Sequence, residues 1–191
     1  MEKKIQKNLE EIREKFSHSK TDLPIDLKLV MAEMILRIKE HRKSFGFFVI
    51  LGWKNKWKEF ADTPDISQDI FAGHNINIKV ERLRASQQSI AKTANFDGAI
   101  LIDSFGKIIH SGAMIEGLRP KVVADKINKG TFPDLSMQFG FRQKVHMRHL
   151  AAITSSYIFK GTTVFTVSEE SGHLHIFENG KIVYSTLPRE K

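Results

Sequence analysis

The sequence predicts an α/β protein: a mixed central sheet flanked by helices, preceded by an N-terminal hairpin of two helices. Three observations carry that expectation. The first 41 residues place apolar side chains at helical spacing. Short apolar runs then recur at 47–51, 99–103, 108–114, 163–167 and 173–177, each bounded by turn residues. The gaps between those runs alternate between hairpin-length turns and helical patterns, which favours a mixed sheet over a doubly wound parallel one.

The first helix, over 1–16, puts Ile5, Leu9, Ile12 and Phe16 on one face and is too short to bury that stripe alone. Residues 17–23 are polar and read as a turn. Pro24 suits the start of a second helix, and the helix dipole favours Asp26 in its first turn. Leu29, Val30, Met34, Ile35 and Ile38 continue an apolar face to about His41. Phe47–Leu51 has the pattern of a central strand. The stretch 53–73 reads as irregular, with Pro64 inside it. Ile76-Asn77-Ile78-Lys79-Val80 alternates like a strand, and a polar helix is expected over 81–92. A hairpin follows, with strands at 99–103 and 108–114 around a turn at 104–107. Pro120 opens a short helix with Val122, Val123 and Ile127 on one side, and Gly130 stands where that helix would end. Residues 131–145 read as loop. A helix over 147–157 carries Arg148 and His149 in its first turn. Strands at 163–167 and 173–177 come next, Asn179-Gly180 is a two-residue hairpin signal, and 181–185 closes the sheet.

With 191 residues and 41% of them hydrophobic, the chain is long enough to pack a core rather than remain disordered. Its net charge of +8 fits either a solvated basic surface or a polyanionic partner. Only two Tyr and two Trp are present, which argues against a base-stacking platform, so nucleic acid is not an expected partner. Cysteine is absent, which excludes disulfides and thiolate metal sites. No apolar run reaches the ~18 residues of a membrane helix, and the first residues lack a signal-peptide pattern. The expected location is cytoplasmic, with no membrane partner.

Neither a Walker-type GxxxxGKS/T nor a GxGxxG occurs, which argues against P-loop and dinucleotide folds. Asp97-Gly98-Ala99 sets a carboxylate at the mouth of an apolar strand, beside a glycine that lets a ligand approach the backbone. The same pattern also suits a turn acid or a helix cap. Arg148 offers donors matched to phosphate oxygens, and His149 a further donor or a metal-binding nitrogen. As a pair at a helix start they equally suit a plain surface. Glu169 and Glu170 sit at a strand end, either as a solvated turn or as oxygen ligands for Mg²⁺ or Mn²⁺. His146 with His149, and His173 with His175, have metal-compatible spacing but no third partner, so no dedicated zinc site is expected. An acid, a glycine and a basic pair together suggest chemistry on a nucleoside triphosphate.

Taken in order, five motifs resemble the diadenylate cyclase family over about residues 47–183. They are Asp97-Gly98-Ala99-Ile100-Leu101-Ile102-Asp103, Gly106-Lys107-Ile108-Ile109, Ser111-Gly112-Ala113, Arg148-His149-Leu150-Ala151-Ala152 and Val167-Ser168-Glu169-Glu170-Ser171-Gly172. The two N-terminal helices look like those of the soluble, sporulation-type branch of these bacterial enzymes. The resemblance implies a nucleotidyltransferase that condenses two ATP molecules into the second messenger cyclic di-AMP and releases two pyrophosphates. Each protomer would bind one ATP, and two protomers would meet face to face, within a larger homo-oligomer such as a hexamer. Asp97 would assist attack of a 3′-hydroxyl and, with Glu169 or Glu170, would hold Mn²⁺ or Mg²⁺. Arg148 and His149 would hold phosphates, and Gly98, Ala99, Gly112 and Met114 would lie near the adenosine. On this reading residues 1–43 form a regulatory or assembly hairpin and 44–191 the catalytic domain.

The chain departs from the family pattern at three places. Met147 stands where Thr is common, Leu150 where a second Arg often follows, and Phe96 where some relatives have His. These changes motivate an alternative, a nucleotide-binding module with weak or no turnover. They also point to Arg142, Lys144 or His146 as substitute phosphate donors. A third reading, a nucleic-acid binder, rests on the charge alone.

Overall fold

Five consecutive apolar residues, Phe47–Leu51, form β1, and all five are buried. A strand of this composition needs cover on both faces, and the computed structural model supplies it with a layer of helices on each side. The structure describes residues 2–42, 45–65, 67, 69–71, 74–80, 83–93, 97–187 and 190. β1 pairs in parallel with β3 (Ala99–Ile102) and antiparallel with β5 (Thr163–Val167), so the expected mixed sheet forms. The remaining strands are β2 (Ala61–Asp62), β4 (Ile108–Ile115), β6 (Leu174–Glu178) and β7 (Lys181–Ser185). Their order across the sheet is β2-β4-β3-β1-β5-β6-β7.

Successive strand residues point to opposite faces, and this alternation divides the core in two. Phe47, Val49 and Leu51 join one apolar cluster with α1 (Glu2–Ser17) and α2 (Ile25–His41). Phe48 and Ile50 join the other, with α4 (Pro120–Ile127), α6 (Met147–Ile158) and the aromatic group of Trp53, Trp57 and Phe159. The stripe on α1 is covered within the chain: Ile5, Ile12 and Phe16 are buried in the same cluster as α2 and the sheet. α2 is buried on nearly all sides because it packs into that shared cluster.

One polar group fastens the hairpin to the sheet. Lys28 on α2 is wholly buried. Its Nζ lies 3.1 Å from Glu178 Oε1 at the end of β6, 2.9 Å from Ser19 Oγ and 3.1 Å from Thr21 Oγ1. Three acceptors thus meet the three ammonium protons. Glu178 also accepts from the Thr163 hydroxyl at 2.6 Å. The polar turn between the helices is therefore partly an internal ligand set for a buried cation.

Several local expectations need correction. Residues 76–80 form no strand: only Asn77 bridges, to Lys107, and its amide donates to the Phe105 carbonyl. The segment braces the β3–β4 turn instead, with Ile78 N–H bonded to the Gly106 carbonyl. The stretch 53–73 contains a 3₁₀ turn at Asn55–Phe60 and the short β2, which pairs with β4. The stretch 131–145 holds a helical turn, α5 (Leu135–Gln138), capped by the Asp134 carboxylate on the Met137 N–H at 2.9 Å. α4 buries Val123 and Ala124 and leaves Val122 exposed, and its cap is Asn128, two residues before Gly130. Of the helix expected over 81–92, α3 (Leu83–Ala91) is present, while 81 and 82 lie outside the described residues, as does Phe96. The Asn179-Gly180 turn is as expected, with φ of 51° and 77°. Among the described residues no helix is long and apolar enough to cross a membrane.

Replacing one partner of a buried ion pair leaves the other charge uncompensated, at a cost of about 3–5 kcal/mol. Lys28→Met should therefore lower unfolding stability by about that amount in denaturant titration. Lys28→Met combined with Glu178→Leu should recover much of the loss.

Candidate functional site

Strand register gathers the candidate residues. Phe47 pairs with Val167, and Ala99 with Ala113. The starts of β1 and β3 therefore share one sheet edge with the ends of β4 and β5. Gly46, Asp97-Gly98, Met114 and Ser168-Glu169-Glu170 leave the sheet at that edge, and the N-terminus of α6 arrives there. A cavity of about 910 Å³ opens between them. Phe48, Asp97, Gly98, Met114, Arg148, His149, Glu169 and Glu170 are among the residues that line it.

Arg148 is the centre of this arrangement. Its guanidinium lies 3.7 Å from Asp97 Oδ1 on one side and 3.7 Å from Glu169 Oε2 on the other. Both separations exceed direct hydrogen-bond length, so neither carboxylate ties up the cation directly. Gly46 makes room for it: a Cβ there would stand 1.9 Å from Arg148 Nη1. Asp97 is far more open, with its side chain 94% exposed. Glu170 faces His146 at 3.3 Å.

The glycines explain how Asp97 is presented. Gly98 has φ +97°, and a Cβ on it would lie 2.5 Å from the carbonyl carbon of Gly112. Gly112 has φ +69°. These two backbones touch where only glycine fits at position 98. Gly112 thus supports the Asp97 turn from below. Ala99 is fully buried in the apolar cluster under the cavity, and neither Ala99 nor Gly112 is among its lining residues. Asp97, Gly98, Met114, Arg148, His149, Glu169 and Glu170 are brought together.

His149 differs from its neighbour in charge. It is 6% exposed and packs edge-on against Phe141 and His175, with ring centroids 6.0 and 5.0 Å away. Burial, with smaller contributions from His175 and Arg148, pushes its pKa down to about 3. At neutral pH the basic pair is one cation and one neutral imidazole, which carries a single N–H donor. The start of α6 adds to the positive character. His146 occupies its N-cap position and makes no side-chain cap hydrogen bond; the His149 N–H already donates to the His146 carbonyl at 3.1 Å, which leaves the N–H groups of Met147 and Arg148 as the first-turn donors for an anion at the cavity.

Among the described residues no three His, Asp or Glu side chains are grouped to hold a metal ion by themselves. Glu169 and Glu170 face Arg148 and His146. Asp97 remains as an exposed oxygen donor of the kind Mg²⁺ uses, since that ion often takes one or two carboxylates and completes its shell with water and substrate phosphate. The exposed Asp97 carboxylate therefore fits a metal shared with a phosphate ligand, while the described residues by themselves form no three-ligand cage. His146, read from the sequence as a substitute phosphate donor, lines the cavity, whereas Gly46 and Phe48 escaped attention as site residues. These two belong to no motif, and only the pairing of β1 carries them to this edge.

Two outcomes follow from this geometry. Gly46→Ala should displace the guanidinium from between its carboxylates, which a crystal structure of the variant would show. Stability should also respond to acid. The unfolded chain protonates His149 near 6.5, the folded chain only near 3. Lowering the pH through that window favours the unfolded state, by at most about 1.4 kcal/mol per unit from this residue. His149→Gln should flatten the slope of unfolding free energy against pH between 6.5 and 3.

No family model matches the chain. A diadenylate cyclase from Methanocaldococcus jannaschii is 33% identical over 119 residues, which is 62% of this chain and 31% of that protein. The chain thus spans about a third of the length of that curated relative. Among solved structures, a hypothetical membrane spanning protein from Bacillus cereus matches 83% of this chain and 62% of its own, at 17% identity and a TM-score of 0.51. DacA from Staphylococcus aureus, a double cysteine mutant, matches 82% and 84%, at 17% identity and a TM-score of 0.49. The identity to the archaeal enzyme falls on a chain whose ordered motifs meet at one cavity, and the Bacillus cereus likeness extends to the fold: the chain is similar to a diadenylate cyclase over 119 residues.

Proposed function

We propose that this chain condenses two ATP molecules into cyclic di-AMP and two pyrophosphates, at a face shared by two protomers. The observation that carries the reading is the convergence of Asp97 and Arg148, distant in sequence, within 3.7 Å at the wall of one cavity. A volume of about 910 Å³ lies within the range of small-ligand sites.

Each residue then has a defined task. Arg148, cradled by Gly46, offers its planar donors to triphosphate oxygens. The first-turn N–H groups of α6 and the neutral His149 add donors that stabilise phosphate charge as it moves. Gly98 lets the nucleoside lie close to the backbone. Asp97 projects away from its own fold, which suits an acid that acts on the nucleotide of a facing protomer. It accepts the proton of the 3′-hydroxyl as that oxygen bonds to the opposing α-phosphorus. The bond from that phosphorus to the bridging oxygen breaks, and pyrophosphate departs. The same step in the other direction closes the ring. Positioning two nucleotides against each other supplies much of the acceleration. Mn²⁺ or Mg²⁺ shared by Asp97 and the triphosphate would neutralise charge on the leaving group. Exposed Met114 and Met147, near the cavity, offer apolar surface for the facing copy. The 1–43 hairpin would influence assembly from the opposite face of the sheet.

A second reading, nucleotide binding with little turnover, is supported by Met147, which is 71% exposed at the start of α6 and offers phosphate no donor. Incubation with ATP and Mn²⁺, followed by chromatography, separates the two. Cyclic di-AMP is expected, and tight ATP binding without conversion would favour the module. Asp97→Asn should reduce turnover at least about a hundredfold while ATP binding persists. Arg148→Ala should chiefly raise KM.

A further inference from the structure

Behind the cavity wall lies a buried polar chain that ends at Glu190. Glu190 turns back into the fold, with its side chain 1% exposed. Its Oε2 sits 2.5 Å from His175 Nε2 and accepts from the Ser185 hydroxyl at 3.0 Å. Its Oε1 accepts the backbone N–H of Arg142 at 3.1 Å. Burial alone would raise the pKa of this carboxyl. The hydrogen bonds from His175, Arg142 and Ser185 outweigh it and hold the pKa below the usual value. Glu190 is therefore an ionised acceptor, and His175 must present a proton at Nε2.

The partners of Glu190 are the groups that hold His149. The His175 ring stands perpendicular to the His149 ring at 5.0 Å, and Phe141, adjacent to Arg142, packs edge-on against both imidazoles at 5.7 and 6.0 Å. His175 Nδ1 is buried with no hydrogen-bond partner among the described residues. The ring is thus oriented through its Nε2 and by packing alone. Without the carboxylate, the imidazole would lose its charged hydrogen-bond partner and the 141–142 backbone its acceptor.

We propose that Glu190 is a positioning residue for the cavity: its carboxylate fixes the His175 ring and the Phe141-Arg142 segment, and these two fix His149 at the cavity wall. The proposal rests on the cavity being a nucleotide site, and its first test does not depend on turnover. In the full chain without nucleotide, nitrogen-15 NMR of the imidazoles should find His175 protonated at Nε2. A His175 bearing its only proton on Nδ1 overturns the proposal, whether or not any variant folds. In Glu190→Leu the His149 ring resonances should shift. KM for ATP should rise about tenfold while kcat changes less than twofold. Glu190→Gln keeps an oxygen for the Nε2 proton and should restore most of the affinity. Unchanged His149 resonances in Glu190→Leu, or equal losses in the Gln and Leu variants, would sink the idea. If no variant forms cyclic product yet the imidazole shifts occur as stated, the positioning role stands and the proposed reaction fails.

Discussion

The pairing of β1 is the constraint on which the cavity depends. Its parallel register with β3 brings Gly46 beside the Asp97 turn, and its antiparallel register with β5 brings Ser168 to Glu170 to the same edge. Side chains alternate along a strand, so a slip of one residue would exchange the two faces of β1 and their apolar clusters. Such a slip would also carry Gly46 out from beneath Arg148. The two dissimilar clusters pin the register, and the register places the charges.

The electrostatics of the site follow from unequal burial. Arg148 lies in a glycine-floored recess between two carboxylates, neither close enough to saturate its donors. His149, one residue on, is pressed among rings and loses its charge. Adjacent residues on one helix thus provide a cation and a neutral donor. Sequence alone makes them look alike, because the difference arises from Phe141 and His175, which other elements bring to the site.

Sequence pattern was legible where the period was strong or the turn chemistry specific. The uniform run of β1, the stripe of α1 and the Asn179-Gly180 turn all appear as read. The motif residues that line the cavity were legible by type and order. What escaped was set by distant partners. Residues 76–80 alternate like a strand, yet only Asn77 bridges and the rest support a turn. β2 has two residues and α5 four, too few for a period to show. Lys28 reads as a polar position on a helix, and its burial is explained by Ser19, Thr21 and, some 150 positions later, Glu178. Glu190 near the chain end gave no signal at all, because its partners come from three separate segments.

The Lys28–Glu178 pair also decides what kind of object the helical hairpin is. A sealed ionic contact does not loosen gradually: a displacement of a few ångströms would strand a charge in hydrocarbon. The hairpin is therefore a wall of the molecule and not a flap. Any influence it has on neighbouring copies comes from the shape it presents outward, with no swinging motion between docked and free positions.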